Sequence, residues 1–259
     1  MNRLIRTGPF LFGAGFVLLG LVGMVFLTLV PGLQPTAEDG RVANMWVYLN
    51  GIILILGGVG LWIRRTRQIA ALALALTFTL WTLAAHVPKL IGDADDVGAW
   101  VSGFEALAIA GVASTLSGRS VGRWPDLAGR LCLGAALFAF GLVHFLYHDF
   151  IASMIPGWLP AKHIWPWFTG SVNIVAALSI LTGHKGHLGA AGVGLMYASW
   201  IILVHPGRIA VDFASSFEWS FLGIAIVLTG AAWIMFDRLR PSSPAVKAPR
   251  PIQMEAGPE

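Results

Sequence analysis

Charge is what this sequence has least of. Only 12% of its 259 residues are Asp, Glu, Lys or Arg, where a soluble globular chain carries about 25%. Most of its surface must therefore face something other than water. Cysteine is reduced to one residue, Cys132, which excludes an intramolecular disulfide and a Cys-x-x-Cys redox pair. No Walker A loop and no Gly-x-Gly-x-x-Gly turn occurs between a strand and a helix. The glycine clusters at Gly57-Gly58-Val59-Gly60 and from Gly189 to Gly194 lie inside apolar runs and read as helix packing. No row of basic residues suggests nucleic acid as a partner.

What the chain has instead is apolar length. Hydrophobic residues make up 56% of it, and its mean hydropathy is +0.74. A spanning helix needs about 20 mainly apolar residues. Runs of that kind lie at Thr7–Ala37, Val42–Ile63, Gln68–Pro88, Val97–Gly118, Leu131–His148, His163–His184, Gly186–Gly207 and Phe213–Phe236. Glu105 and Glu218 are the single acids inside the fourth and the eighth. The expectation is an all-α membrane protein with eight transmembrane helices. Barrel strands would alternate polar and apolar, which these runs do not. The first run is too long for a cleaved signal peptide and reads as a retained helix. With the N-terminus inside, thirteen of the seventeen Lys and Arg fall on the inner side, leaving Arg41, Lys89, Lys162 and Arg208 outside. That bias predicts both termini in the cytoplasm.

The second half echoes the first. A shift of 119 places Trp46 on Trp165, Gly51 on Gly170, Trp81 on Trp200, His86 on His205 and Asp93 on Asp212. A shift of 121 places Gly20-Leu21-Val22 on Gly141-Leu142-Val143, and Ser102-Gly103-Phe104-Glu105 resembles Ser215-Ser216-Phe217-Glu218. Four helices per half is an even number, so the halves form a tandem parallel repeat of a four-helix bundle. The expected division is residues 1–118, a cytoplasmic linker at 119–130, a second repeat at 131–237 and a disordered tail at 238–259, rich in Pro, Ser and charge.

Seven ionisable residues map to the outer third of these helices. Glu105 and Glu218 are intramembrane acids, each costing about 2.5–3.5 kcal/mol to insert, so they should face the bundle interior with a partner. His144 and His148, spaced i, i+4, are expected on one helix face, with Asp149 next to them. His86 and His205 sit at matching helix ends. Such groups suit a ligand head group, a haem edge or acid–base chemistry. They equally suit interfacial helix ends and structural ion pairs. His-x-x-x-His without an intervening Glu is not a metalloprotease motif, and no metal site is assigned. The catalytic candidates are His144, Glu105 and Glu218. The ligand-binding candidates are His86, His144, His148, Asp149, His205, Trp81 and Trp200, with Ile151 to Trp167 as a lid.

The stretch His144-Phe145-Leu146-Tyr147, Ile155-Pro156-Gly157-Trp158-Leu159-Pro160 and Trp165-Pro166-Trp167-Phe168-Thr169-Gly170 resembles the first two helices of DoxX-like membrane proteins. The resemblance covers Arg130 to Trp233 well and Pro9 to Ala113 more loosely. Where many members have a Glu early in the second helix, this chain has Asn50 and Asn173. The family is named for a subunit of a thiosulfate:quinone oxidoreductase. The resemblance implies a bacterial inner-membrane protein, two such units fused, with the lipid bilayer and a redox subunit as partners and quinone or haem as cofactor. Two other functions suit the same residues: binding or transport of a small amphipathic molecule, and isomerisation of a lipid.

Overall fold

In the computed structural model, residues 7–30, 33–34, 40–118 and 123–241 are described, without the side chains of 40–43. Residues 242–259 of the expected tail, Glu38 and Asp39 of the first outer loop, and residues 119–122 of the expected linker lie outside them; Arg238 and Leu239, expected to open the disordered tail, instead continue the last helix. The described residues form helices and turns, with no strand.

Long apolar runs become long helices because a helix satisfies its own backbone. In chain order they are α1 (Thr7–Phe26), α2 (Gly40–Trp62), α3 (Arg67–Trp81), α4 (Val87–Gly92), α5 (Val97–Leu116), α6 (Trp124–Leu146), α7 (His148–Ser153), α8 (Ile164–Thr182), α9 (Gly186–Leu203), α10 (His205–Val211) and α11 (Ser216–Leu239). Among the described residues, eight spans are long and apolar enough to cross a membrane: α1, α2, α3 through α4, α5, α6, α8, α9 through α10, and α11. The chain is a multi-pass membrane protein.

Three expected boundaries move. The third helix was expected to end at Pro88, but it continues to Gly92 through a π turn at Thr82–His86. There the Val87 N–H bonds to Thr82 O, one residue further back than in an α-helix. The wider turn absorbs the clash and the missing donor that Pro88 brings. The fifth helix begins at Trp124, seven residues before the expected Leu131, with Pro125 in its first turn and Asp126 beside the positive helix end. It also ends earlier, at Leu146, because Tyr147 leaves helical geometry (φ −114°, ψ 35°). His144 and His148 therefore do not share a helix face: the first belongs to α6 and the second opens α7.

The spans pack in a closed ring. Each lies against its neighbours in sequence, and α11 returns to lie against α1. The most extensive pairs are α1 with α11 and α5 with α6, the two places where the halves of the chain meet. Small residues make the first of these possible. A Cβ on Gly230 would come within 2.6 Å of Phe12 Cα, and one on Gly15 within 2.7 Å of Val227 N. One continuous core fills the ring, including Phe12, Phe16, Phe78, Ile109, Leu133, Leu137 and Ile180, all fully buried. The order of pairing is unchanged when α1, α2, α3 and α5 are exchanged with α6, α8, α9 and α11.

The two ends of the ring differ. At one end Arg238 reaches Thr115 O, and its Nη1 lies 3.3 Å from Asp126 Oδ1, tying α11 to the ends of α5 and α6. The other end carries the short helices α4, α7 and α10, and it is there that the candidate residues gather.

Candidate functional site

Between α5, α6, α8, α9 and α11 lies a cavity of about 260 Å³, covered by α7. Its walls are apolar: Trp200 and Val204 from α9 and its end, and Phe221, Ile224, Ala225 and Leu228 from α11. Ile151, Met154 and Ile155 of α7 and the turn after it form the cover. Into this space project Glu105, His144, Thr169, Tyr197, His205 and Arg208. A larger groove of about 650 Å³ lies between α5 and α6, but Asp95 is its single charged residue and the rest suits an acyl chain. The smaller cavity is the candidate site because its polar groups converge from five helices, as ligand sites in helical bundles do.

Local chain geometry aims each polar group. His144 stands one turn before the break at Tyr147 and its Nδ1 donates to Phe140 O at 2.7 Å. In the neutral ring that leaves Nε2 as an acceptor. Tyr197 donates its hydroxyl to Asn173 Oδ1 at 3.0 Å, which leaves the phenol oxygen free to accept. Thr169 turns its hydroxyl back to Trp165 O at 2.8 Å, as Thr does within a helix. His205 opens α10 after the chain breaks at Val204, and its Nδ1 is buried with no hydrogen-bond partner among the described residues. Glu105, on the cavity side of α5, has no hydrogen-bond or ion-pair partner among the described residues either.

Arg208 and Glu218 close the outer edge. The guanidinium makes a two-pronged bond to the carboxylate, Nε to Oε2 at 2.7 Å and Nη2 to Oε1 at 2.6 Å. Its Nη1 donates to Met154 O at 3.2 Å. One cation thus joins α10 and α11 and holds the end of α7 over the cavity. Beside it, Ile155, Leu159 and Val204 form a small apolar cluster of their own, with Trp165 and Trp200 against it.

Of the residues singled out in the sequence, Glu105, His144, His205 and Trp200 meet in this cavity, and Glu218 reaches it through Arg208. His86 and Trp81 do not. His86 is buried in the first half and donates from Nε2 to Leu33 O at 3.1 Å. Trp81 packs edge-on against Phe78, which in turn meets Phe16. Phe78 occupies in the first half the position that Tyr197 holds in the second under the 119-residue shift, so aromatic packing fills that space. His148 and Asp149 sit outside the cavity, where His163 joins them; one donor atom of each lies within 4.8 Å of the others. Tyr197, Thr169 and His163 were not singled out in the sequence. A lone Tyr in an apolar run has no pattern to mark it, although the shift that pairs Trp81 with Trp200 also points at position 197.

A family model described as a domain of unknown function (DUF8561) matches residues 133–221, about a third of the chain. The match takes in α7, α8, α9 and α10 with most of α6, and so most of the cavity's walls, and it names no activity. No characterised protein and no solved structure matches the chain.

Proposed function

We propose that this protein binds a small amphipathic molecule with a carbonyl- or hydroxyl-bearing head, of the quinone type, as a membrane partner in a redox system. The observation that carries the reading is Glu105, without a hydrogen-bond or ion-pair partner among the described residues, in a cavity of mainly apolar walls together with Tyr197, His144 and His205, whose Nδ1 is also unpartnered. A carboxyl in such a place is expensive unless a ligand meets it. The four groups offer both donors and acceptors, which suits a head that alternates between carbonyl and hydroxyl, and a carboxyl or imidazole beside it can exchange the proton. A volume of about 260 Å³ is slightly below the ~300–1,000 Å³ of sites that enclose a drug-sized ligand. A single ring therefore fits, with its apolar tail running out between helices. The expected setting is a bacterial inner membrane with the cavity toward the outer face and both termini inside, which the distribution of basic residues supports. A tandem duplication belongs to the same proposal, and the exchangeable order of helix pairing supports it.

The test is mass spectrometry of an acidified organic extract of protein purified in mild detergent. The expected result is a stoichiometric quinone or related ring compound in the native protein, depleted in Glu105→Gln and His144→Ala. Bulk phospholipid alone in all three would refute the redox reading. It would favour transport of an amphipathic solute instead, for which the covered cavity in an even-helix, exchangeable ring is the supporting observation.

A further inference from the structure

We propose that His148, Asp149 and His163 form a binding site for a divalent transition-metal ion of the zinc type, clamping the two ends of the lid segment together. His148 and Asp149 open α7, and His163 caps the start of α8. The turn-rich segment between them is the cover of the cavity. In sequence His148 and Asp149 are adjacent but His163 lies 14 residues further on, so the three show no ligand spacing. The fold brings them together.

The geometry is close to what an ion requires. One donor atom from each residue lies within 4.8 Å of the other two. Bonds of about 2.0–2.2 Å at tetrahedral angles hold ligand atoms about 3.3–3.6 Å apart, so side-chain rotations that move the donor atoms by up to about 1.5 Å complete the set. His148 Nδ1 already lies 3.2 Å from Asp149 Oδ1. The rings of His148 and His163 are 6.0 Å apart and tilted by 41°. Trp167 also lies beside His148, with ring centroids 5.5 Å apart, and limits where that imidazole can turn. Asp149 is 89% exposed in its side chain, so it loses little hydration by swinging onto an ion.

The donor set decides the ion class. Two imidazoles and one carboxylate suit zinc and its divalent neighbours in the first transition row. Copper(I) prefers thiolate or thioether ligands, and calcium and magnesium prefer sites made of oxygen. Three protein ligands leave at least one coordination position to water or to a group from outside. The site stands apart from the cavity polar groups, so it does not depend on what the cavity binds. Its structural effect is on the cover: an ion held between the starts of α7 and α8 fixes both ends of the loop that Arg208 holds at Met154.

The experiment uses full-length protein in detergent with its affinity tag removed, stripped with EDTA and dialysed against micromolar zinc chloride. Zinc per chain is measured by elemental mass spectrometry, and cobalt chloride is titrated in parallel as an absorbing substitute. The expected result is one zinc per chain and a cobalt spectrum of nitrogen and oxygen ligation. Affinity falls by more than about tenfold in His148→Gln, His163→Gln and Asp149→Asn, and is unchanged in His184→Gln, whose imidazole lies beyond α8 at the opposite end of the ring. His163 is exposed, so its replacement leaves the fold intact, as the elution profile of the variant will report. No retained zinc in the native protein, or equal retention in all variants, overturns the assignment.

Discussion

Replacing Glu218 with Gln keeps the volume of the side chain and the helix it stands on, and removes the charge that faces Arg208. The two bonds of this pair, at 2.6 and 2.7 Å, are short and charge-assisted. Their surroundings set the magnitude. Side-chain exposure is 14% for Glu218 and 26% for Arg208. A fully buried pair that loses one partner destabilises by about 3–5 kcal/mol, whereas an exposed pair contributes about 0.2–1 kcal/mol. This pair lies between those limits, so Glu218→Gln should cost about 2 kcal/mol. Arg208→Gln should cost about 0.5–1.5 kcal/mol more, because it also releases Met154 O. The double variant should cost little more than Arg208→Gln alone, giving a coupling energy of about 1.5 kcal/mol. The assay is reversible unfolding in mixed micelles of rising dodecyl sulfate fraction, followed by circular dichroism. Neutral hydrogen bonds between membrane helices average about 0.6 kcal/mol. A measured coupling at or below that value would refute the reading of Arg208 as a charge-assisted tie between α10, α11 and the lid. Faster proteolysis in the turns after Met154 should accompany both single variants, and unchanged cleavage would show that the tie does not hold the cover.

Gly230→Ala should destabilise by about 1–3 kcal/mol, since its new methyl meets the backbone of α1 at Phe12. Gly192→Ala, where a Cβ meets nothing within 4 Å, should be neutral or slightly stabilising in the same unfolding assay. Asp96 carries a pH dependence. The Lys89 ammonium, 2.9 Å away, holds its carboxyl below the ordinary value of 3.8, assisted by the Ala99 N–H that it caps. A depressed folded value means stability that is complete above pH 3.8 and lost as the pH falls below it. The melting temperature of the native protein should therefore drop between pH 5 and pH 3 more than that of Asp96→Asn, and parallel curves would sink the argument. Tyr197→Phe removes the donor to Asn173 Oδ1 and leaves that buried amide unpaired, at a cost of about 1–3 kcal/mol. It should also lower retention of the cavity ligand in the extraction assay, and retention equal to the native protein would remove Tyr197 from the site.

The eight spans were legible because gaps between charged residues report directly on the bilayer's thickness, and an intramembrane acid marks the inside of a bundle. That argument put Glu105 inside the bundle, where it lines a cavity, but the partner it also called for is not found among the described residues. The partners were harder to read. These helices are apolar on every side, so periodicity does not say which way His86 or His205 turns, and one is bonded to Leu33 O while the other faces the cavity. The sharing of a face by His144 and His148 failed for a different reason. Position i, i+4 means one face only while the helix lasts, and the break falls at Tyr147, between the two. Nothing local foretold the meeting of His148 with His163, since it depends on how the turns after α7 fold back.

The pairing of α1 with α11 has a consequence for the order of events during synthesis. Of the eight spans described, the one made first has as a principal neighbour the one made last. Until then its glycine face, with Gly8 and Gly15, is covered by lipid tails alone. The ring cannot close before the final span is in place, and closure joins residues more than 200 positions apart. Contacts of such long range form late and slowly. The nascent protein must therefore persist as an open arc of helices, and the cavity, whose wall includes α11, does not exist until the arc shuts.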